Sequence, residues 1–370
     1  MYLADGVREG GGGVGQTSLP EHVSSTDEVF DLVHARILRF FPDLVRQLGG
    51  NPQPLMRQIG IRFAKKLSDG GSSATYRQMI HLIELAAAEL HCPDFGMRLA
   101  TLQSGSEMFG PLGLAMKNSR TFGDALDYVS KHTYAHSQAA RIWLKRSPAR
   151  KIVFVGHDIL VDGMPNKCQA IEQIMLLGHL AAVELTGRRA RVRKVHFRHQ
   201  PVSPLKTYRR YFGCAVRFGQ GEDGVFFSES DLACPIIHPD SQLYQAVTSF
   251  IDASFTHYRP PLYAQARGVI MRLLGTEHCT NERIAAALNL HPRTLHRRLR
   301  DEGTSFQQLK DEVRRDAMLY YIQQTDLDFA TVSERVGFAE QSVMTRTCHR
   351  WFSASPTKLR ARGSRLTPVS

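Results

Sequence analysis

Asn281-Glu-Arg-Ile284-Ala-Ala-Ala-Leu288-Asn289-Leu290, continued by Pro292-Arg293-Thr294-Leu295-His296-Arg297-Arg298-Leu299, has the pattern of a helix-turn-helix unit. Such a unit needs a short helix with one apolar face, a sharp turn at a residue tolerant of positive φ, and a second helix with polar side chains outside. Ile284 and Leu288 stand four apart on one face, Asn289 takes the turn, Leu290 is the apolar plug beneath it, and Leu295 with Leu299 form the inward stripe. The pattern returns at Ala330-Thr-Val332-Ser-Glu-Arg-Val336-Gly337-Phe338 and Glu340-Gln341-Ser342-Val343-Met344-Thr345-Arg346, with Met344 and Cys348 as the stripe. The turns lie 48 residues apart and the stripes 49, so the second unit carries one extra residue after its turn. This is a weak duplication, not an array.

What joins the units matters as much. Gly303 ends the first outer helix, and Ser305 with Gln308 reads as a capping box opening the next. Phe306, Leu309, Val313, Ala317 and Tyr320 then recur at spacings of three and four, with no Pro or Gly through Gln324. A helix of roughly 20 residues spans about 30 Å. Successive major grooves on one side of B-DNA lie about 34 Å apart. The spacing predicts one chain that can offer two recognition helices to two grooves.

Residues 264–362 resemble the DNA-binding domain of the AraC/XylS family of bacterial transcription regulators. The resemblance rests on Gly337-Phe338, Ser342, Arg346, Arg350-Trp351-Phe352, Ser355-Pro356 and Leu359-Arg360. Three positions depart from the family pattern: Met344 stands for an aromatic, Cys348 for Phe, and Ser353 for Gly. Met and Cys are apolar fillers, whereas Ser353 has to take a glycine-like turn. Upstream, Phe109-Gly-Pro-Leu-Gly-Leu, Ser119-Arg-Thr-Phe-Gly-Asp-Ala-Leu and Tyr208-Arg-Arg-Tyr-Phe-Gly-Cys-Ala-Val-Arg-Phe-Gly resemble the arabinose-binding-like sensor domain of the branch that includes ornithine-utilisation and virulence regulators. That second resemblance implies ligand sensing, dimerisation or both, and names no ligand.

The chain has 370 residues, 42% hydrophobic and 22% charged, ordinary for a globular protein with two or three domains. No run approaches 18 apolar residues, no basic start precedes an apolar stretch, and none of the six cysteines forms a C-x-x-C pair. The expectation is a cytoplasmic protein with reduced thiols and no membrane contact. Net charge is +12, and half of it falls from Ala264 onward, where 17 Lys/Arg face 11 Asp/Glu. A basic balance favours a polyanionic partner without specifying a sequence.

The expected fold class is α+β: a mixed α/β sensor domain over 26–261, then an all-α domain over 264–362 with two helix-turn-helix units joined by a long helix. Residues 1–25 and 363–370 read as tails. The Gly10–Gly15 run lacks the Lys-Ser/Thr of a phosphate loop and reads as a flexible Gly-rich segment. Helical periodicity marks Val29–Leu48, Tyr76–Leu90, Phe122–His136 (opened by Thr121 as N-cap), Cys168–Leu185 and Leu205–Phe212. Arg141–Leu144 with Lys151–Val155, and Ala215–Phe218 with Gly224–Phe227, read as hairpins, and Val192–Phe197 as a strand.

His132 and His136 have the i,i+4 spacing of metal ligands, but no third ligand is near and no metal is expected. Cys92, Cys168, Cys214 and Cys234 read as small core fillers, and no nucleophile elbow or acid–base pair emerges, so no catalytic residue and no cofactor are assigned. Arg188–Arg217 holds ten Lys/Arg and no Asp/Glu. It reads either as an anion-attracting surface or as a solvated strand edge.

By position and by the family match, base edges would be read by Arg293, His296 and Arg297 in the first unit and by Gln341, Ser342, Thr345 and Arg346 in the second. Arg298, Arg300, Arg350 and Lys358 would contact phosphate. For each of these the plain alternative is a solvated helix face. The expected function is a sequence-specific regulator that binds promoter DNA in two successive grooves and responds to a small-molecule effector, with RNA polymerase and a second copy of the chain as further partners. The resemblance alone favours activation. A ligand-independent regulator with a structural N-terminal domain, and an enzyme tethered to DNA, are the other classes, separated by whether a ligand cavity or a catalytic set is present.

Overall fold

Capping side chains set the helix starts of the first domain. In this computed structural model, which describes residues 32–61, 73–103, 105–164, 166–255 and 260–363, Thr75 opens α3 (Tyr76–Glu89) with a full capping box. Its Oγ1 accepts from the Gln78 N–H at 3.0 Å, while Gln78 Oε1 accepts from the Thr75 N–H at 2.9 Å. Thr121 and Asp124 do the same for α6 (Phe122–His132). Tyr76, Met79, Ile80, Ile83 and Ala87 then bury one face of α3 at helical spacing. α7 (Cys168–Leu185) is buried almost all round and forms the axis on which α4 (Phe95–Gln103) and α3 pack.

Of the helix expected over Val29–Leu48, residues 29–31 lie outside the described residues, and the rest does not form as one piece. Leu32–His34 is strand β1, paired antiparallel with β2 (Ser73–Thr75), and a single 3-10 turn follows. Helix α1 starts only at Phe41 and runs to Gln47. Pro42 explains this, because proline fits the first turn of a helix and not its interior. The residue just before the helix, Phe40, turns the chain at φ 67°. A further short helix, α2 (Pro52–Gln58), follows. The reading over Phe122–His136 also runs too far, since α6 stops at His132 and a 3-10 turn occupies Thr133–Ala135. Thr133 Oγ1 donates to the Val129 carbonyl at 2.8 Å and accepts from the Ile142 N–H at 3.4 Å, tying the helix end to the sheet.

The sheet has five strands in the order β3-β4-β7-β5-β6. β3 (Ala140–Ser147) and β4 (Ile152–Ile159) form the expected hairpin, in register Ala140↔Ile159. The second expected hairpin is wrong. β6 (Ala215–Arg217) pairs in parallel with β5 (Lys194–His196) through the crossover helix α8 (Leu205–Phe212). β7 (Gly224–Ser228) inserts between β4 and β5, antiparallel to both. A parallel pair needs a crossover, and α8 supplies it. Side chains of β4 alternate: Val153, Val155, His157 and Ile159 turn to the helices, while Phe154 and Asp158 turn to the opposite face.

α5 (Pro111–Lys117), α9 (Glu229–Leu232) and α10 (Ser241–Phe255) complete this domain. Val247 and Ile251 of α10, a helix absent from the sequence expectations, form a small separate core with Leu112 and Ala115 of α5. The C-terminal domain is entirely helical: α11 (Leu262–Leu273), α12 (Asn281–Ala287), α13 (Pro292–Asp301), α14 (Phe306–Gln324), α15 (Phe329–Arg335), α16 (Gln341–Phe352) and α17 (Pro356–Gly363). No described helix is long and apolar enough to cross a membrane.

Candidate functional site

The two helix-turn-helix turns are built the same way. After α12 the N–H of Asn289 donates to the Ala286 carbonyl at 3.0 Å and that of Leu290 to Ala285 at 2.9 Å. After α15 Gly337 donates to Glu334 at 2.9 Å and Phe338 to Ser333 at 3.0 Å. Each is a Schellman closure, which requires a left-handed residue, and Asn289 at φ 55° and Gly337 at φ 75° provide it. α12 starts 11 residues before α13 and α15 starts 12 before α16, so the extra residue of the second unit lies after its turn. The first helix of each unit is capped by a side chain, Thr280 for α12 and Asp328 for α15.

α14 carries two cores on one helix. Leu309 and Val313 pack with Ile284, Leu295 and Leu299 of the first unit. Met318 and Ile322 pack with Val332, Val336, Met344 and Cys348 of the second. Of the stripe expected from the sequence, Ala317 and Tyr320 are partly buried against the second core and also border the first domain, where Tyr320 Oη accepts from the Gln200 N–H at 3.2 Å. Ser305 caps α14 by accepting from the Gln308 N–H at 3.2 Å.

Arg293, His296 and Arg297 are exposed on α13, and Arg300 continues their face one turn on. Arg298, also exposed, sits about 100° around the helix from Arg297. On α16 Gln341, Ser342 and Arg346 are exposed and Thr345 is half-buried. Ser342 Oγ donates to the Glu340 carboxylate at 3.0 Å, so this hydroxyl is engaged within the chain. Arg350 lies 6.0 Å from the Trp351 ring centre, and Lys358 is exposed on α17. Among the described residues none of Arg293, Arg297, Arg298, Arg300, Arg346, Arg350 or Lys358 has an ion-pair partner within 4.0 Å.

Several other arginines of the same domain are spent on the fold, although Arg283, Arg315 and Arg362 are exposed like those above. Arg314 donates to the Val336 carbonyl at 3.2 Å and the Gly337 carbonyl at 2.7 Å, closing the second turn, and its guanidinium lies 4.9 Å from the Phe338 ring centre. Arg360 donates to the Ile322 and Leu327 carbonyls at 3.3 and 2.5 Å. The sequence reading passed over Arg314, because only the tertiary structure brings α14 to those carbonyls.

Arg188–Arg217 resolves into individual roles. Arg193 makes a two-pronged ion pair with the buried Asp231 at 2.7 and 2.8 Å, and Arg198 reaches the Met271 carbonyl of α11 at 3.2 Å. Lys194 sits over the Phe226 ring at 4.3 Å. His132 and His136 do not share a helix face, since α6 ends between them. His132 stacks on Tyr128 at 4.0 Å, and His136 sits against Phe109. Among the described residues no three His, Cys, Asp or Glu converge. All six cysteines are free, with Cys92, Cys168, Cys279 and Cys348 buried.

The first domain contains a cavity of about 80 Å³ between the inner sheet face and helices α5, α6 and α7. Its walls include Met116, Phe122, Leu126, Val155, Met175 and Phe227. Tyr76 Oη lies 3.4 Å from His157 Nε2 at one wall. Burial, then the nearby His136 and Lys167, hold His157 down to about 3, so it is neutral near pH 7. A second cavity of about 80 Å³ lies between the domains, where Lys167, Arg198 and Asp223 face Arg267, Asp316 and Tyr320. Burial pushes Lys167 down to about 8.

Residues 49–236 match the family described as the arabinose-binding domain of AraC transcription regulator, N-terminal, and residues 284–362 match a helix-turn-helix domain. The chain belongs to the AraC family. The HTH-type transcriptional regulator VirS of Mycobacterium tuberculosis is 32% identical over 336 residues, which cover 91% of this chain and 98% of VirS. The ornithine utilization regulator of Pseudomonas aeruginosa is 23% identical over 349 residues, 92% of this chain and 99% of that one. Among solved structures, transcriptional regulator CdpR of Pseudomonas aeruginosa is 20% identical with a TM-score of 0.40, covering 86% of this chain and 98% of that one. This AraC-family chain is thus a DNA-binding transcription regulator with an N-terminal domain of ligand-binding type.

Proposed function

We propose that this regulator reads two successive major grooves of promoter DNA and that a small molecule entering the sensor cavity governs its activity. The observation that carries the first half is the sorting of the arginines. Among the described residues those on the outer faces of α13 and α16 have no ion-pair partner, whereas Arg267, Arg272, Arg314, Arg335 and Arg360 hold the fold together; Arg283, Arg315 and Arg362 are exposed as well, but lie on other helices. The 19 residues of α14 span about 28 Å, close to the groove repeat. Arg293, His296 and Arg297 read bases from the first unit, with Arg298 and Arg300 on phosphate. Gln341, Thr345 and Arg346 read from the second, with Arg350 and Lys358 on the backbone. Ser342 contributes least, because Glu340 holds its hydroxyl.

The cavity supports effector control over a purely structural sensor domain, since a packed core leaves few voids larger than a water. Activation through RNA polymerase, and a second copy of the chain on the promoter, follow from kinship with the family. Footprinting of the full chain on its operator tests the central claim. Two protected stretches about one helical turn apart are expected, with affinity falling steeply as salt rises. A single protected groove overturns the two-groove reading.

A further inference from the structure

The walls of the sensor cavity discriminate between classes of ligand. Twenty residues line it, and none is Lys, Arg, Asp or Glu. A charged ligand there would lose its water and find no counter-ion, a cost that neither an amino acid nor a carboxylate escapes. Hydroxyl-rich ligands fare little better. The polar side chains are Tyr76, Thr133, His136 and His157. Thr133 Oγ1 already donates to Val129 and accepts from Ile142, and Tyr76 faces His157 Nε2. Among the described residues the buried His157 Nδ1 has no hydrogen-bond partner. A sugar would bring four or five hydroxyls to a site that offers few groups to meet them, and each hydroxyl left unmet costs about 1–3 kcal/mol.

Gly178 shows that the space is built into the fold. It lies inside helix α7, where glycine costs about 1 kcal/mol relative to alanine. An added Cβ would meet no atom within 4 Å. The same test at Gly156, on the sheet side, brings Trp143 to 2.3 Å. Gly156 is therefore needed by its neighbour, whereas at the half-buried Gly178 no described neighbour requires glycine and the space beside it is left open. The 80 Å³ of room is about half that of an engineered apolar cavity that admits benzene. A single ring enters if the flexible Met116 and Met175 yield.

Resting on the reading of this cavity as the effector site, we infer that it takes a small, neutral, mainly hydrocarbon molecule of about one ring, with one hydrogen-bonding group for His157. Sugars, amino acids and carboxylates are not ligands of this cavity.

Thermal unfolding of the full chain tests this with matched probes: benzyl alcohol, indole and 1-hexanol as neutral compounds, benzoate and benzylamine as charged ones, and L-arabinose and L-ornithine. At least one neutral probe is expected to raise Tm by about 2 °C or more, and the rest to leave it unchanged. The shift is expected to vanish in Gly178→Leu, which fills the void, and to weaken in Gly178→Ala, which fits without contact and is the readout if the leucine variant does not fold. Silence of every neutral probe overturns the inference. A shift from benzoate, benzylamine, arabinose or ornithine that Gly178→Leu abolishes overturns the ligand class while leaving the effector site in place. A shift that persists in both Gly178 variants removes the effector site itself. If such a shift is lost in Lys167→Met, the ligand sits between the domains.

Discussion

Arg297 and Arg298 are adjacent, equally exposed and identical in chemistry, yet the helix turns them about 100° apart. Arg297 shares its face with Arg293 and His296, the face that the proposed reading lays into the groove, whereas Arg298 lies to one side of it and is proposed to meet phosphate. Arg297→Ala is expected to cost about 1–3 kcal/mol at particular bases and to relax preference there. Arg298→Ala is expected to weaken all sequences alike and to lower the salt slope by about one. Binding assays on an operator and its single-base variants separate them, and equal losses across all sequences for both would remove base reading from Arg297. Ser353 makes a different residue-scale case. It closes α16 at φ 51°, ψ 29°, with its N–H on the His349 carbonyl at 2.9 Å. A left-handed residue with a Cβ is strained by about 1–2 kcal/mol, part of which glycine returns to the entropy of the unfolded chain. Ser353→Gly is therefore expected to stabilise the chain by about 0.5–1 kcal/mol in denaturant titration without changing DNA affinity.

At the scale of elements, what could be read from the sequence was what neighbours along the chain decide. Thr75, Thr121 and Ser305 cap helices through residues three positions on, and the Asn289 and Gly337 turns close on carbonyls within five, so these ends lie in the local pattern. The sheet order did not, because β5 and β6 are three residues each and their partners are chosen by α8 and by the insertion of β7. The outer faces of α13 and α16 were legible for the same local reason, while the sensor cavity was not: its walls come from segments spread between Ile37 and Phe227. α14 lies between these cases. Its periodicity was plain, but not that its apolar positions serve two separate cores and an interdomain face. This division has a consequence. Met318, fully buried, belongs to the second core and not to the first. Met318→Ala is expected to cost about 2–5 kcal/mol and to loosen the second unit selectively. Footprints of this variant should shrink to the groove held by α13. Loss of both grooves together would mean that the two units fold as one.

Across the whole molecule, strand β4 lies between the cavity and the DNA-binding domain. His157 lines the sensor cavity, and the next residue, Asp158, points from the other face to an ion pair with Arg272 of α11. Arg272 also lies 5.0 Å from the Trp143 ring centre, and Gly268, one turn earlier, lets α11 approach so closely that a Cβ would meet Leu160 at 2.8 Å. Around this point Gly163 donates to Asp316 at 3.0 Å and Arg335 to the Gly219 carbonyl at 3.1 Å, so the sensor domain holds both the joining helix and the second unit. On the proposed reading, the shortest route from the cavity to the DNA-binding domain runs along β4 from His157 to Asp158. Both members of the pair are nearly buried, Asp158 at 8% and Arg272 at 14% side-chain exposure. Removing Asp158 leaves both Arg272 and the neighbouring Arg141 without their carboxylate, at a cost of about 3–5 kcal/mol, and removing Arg272 as well relieves part of it. Asp158→Ala is therefore expected to lower Tm and to split thermal unfolding into two transitions. Asp158→Ala with Arg272→Met should recover part of the lost Tm, since Arg141 still lacks its carboxylate, yet leave DNA affinity indifferent to any ligand of the cavity. If the double variant still couples ligand to DNA binding, the signal runs through the contacts of Asp316 and Arg335 and not through β4.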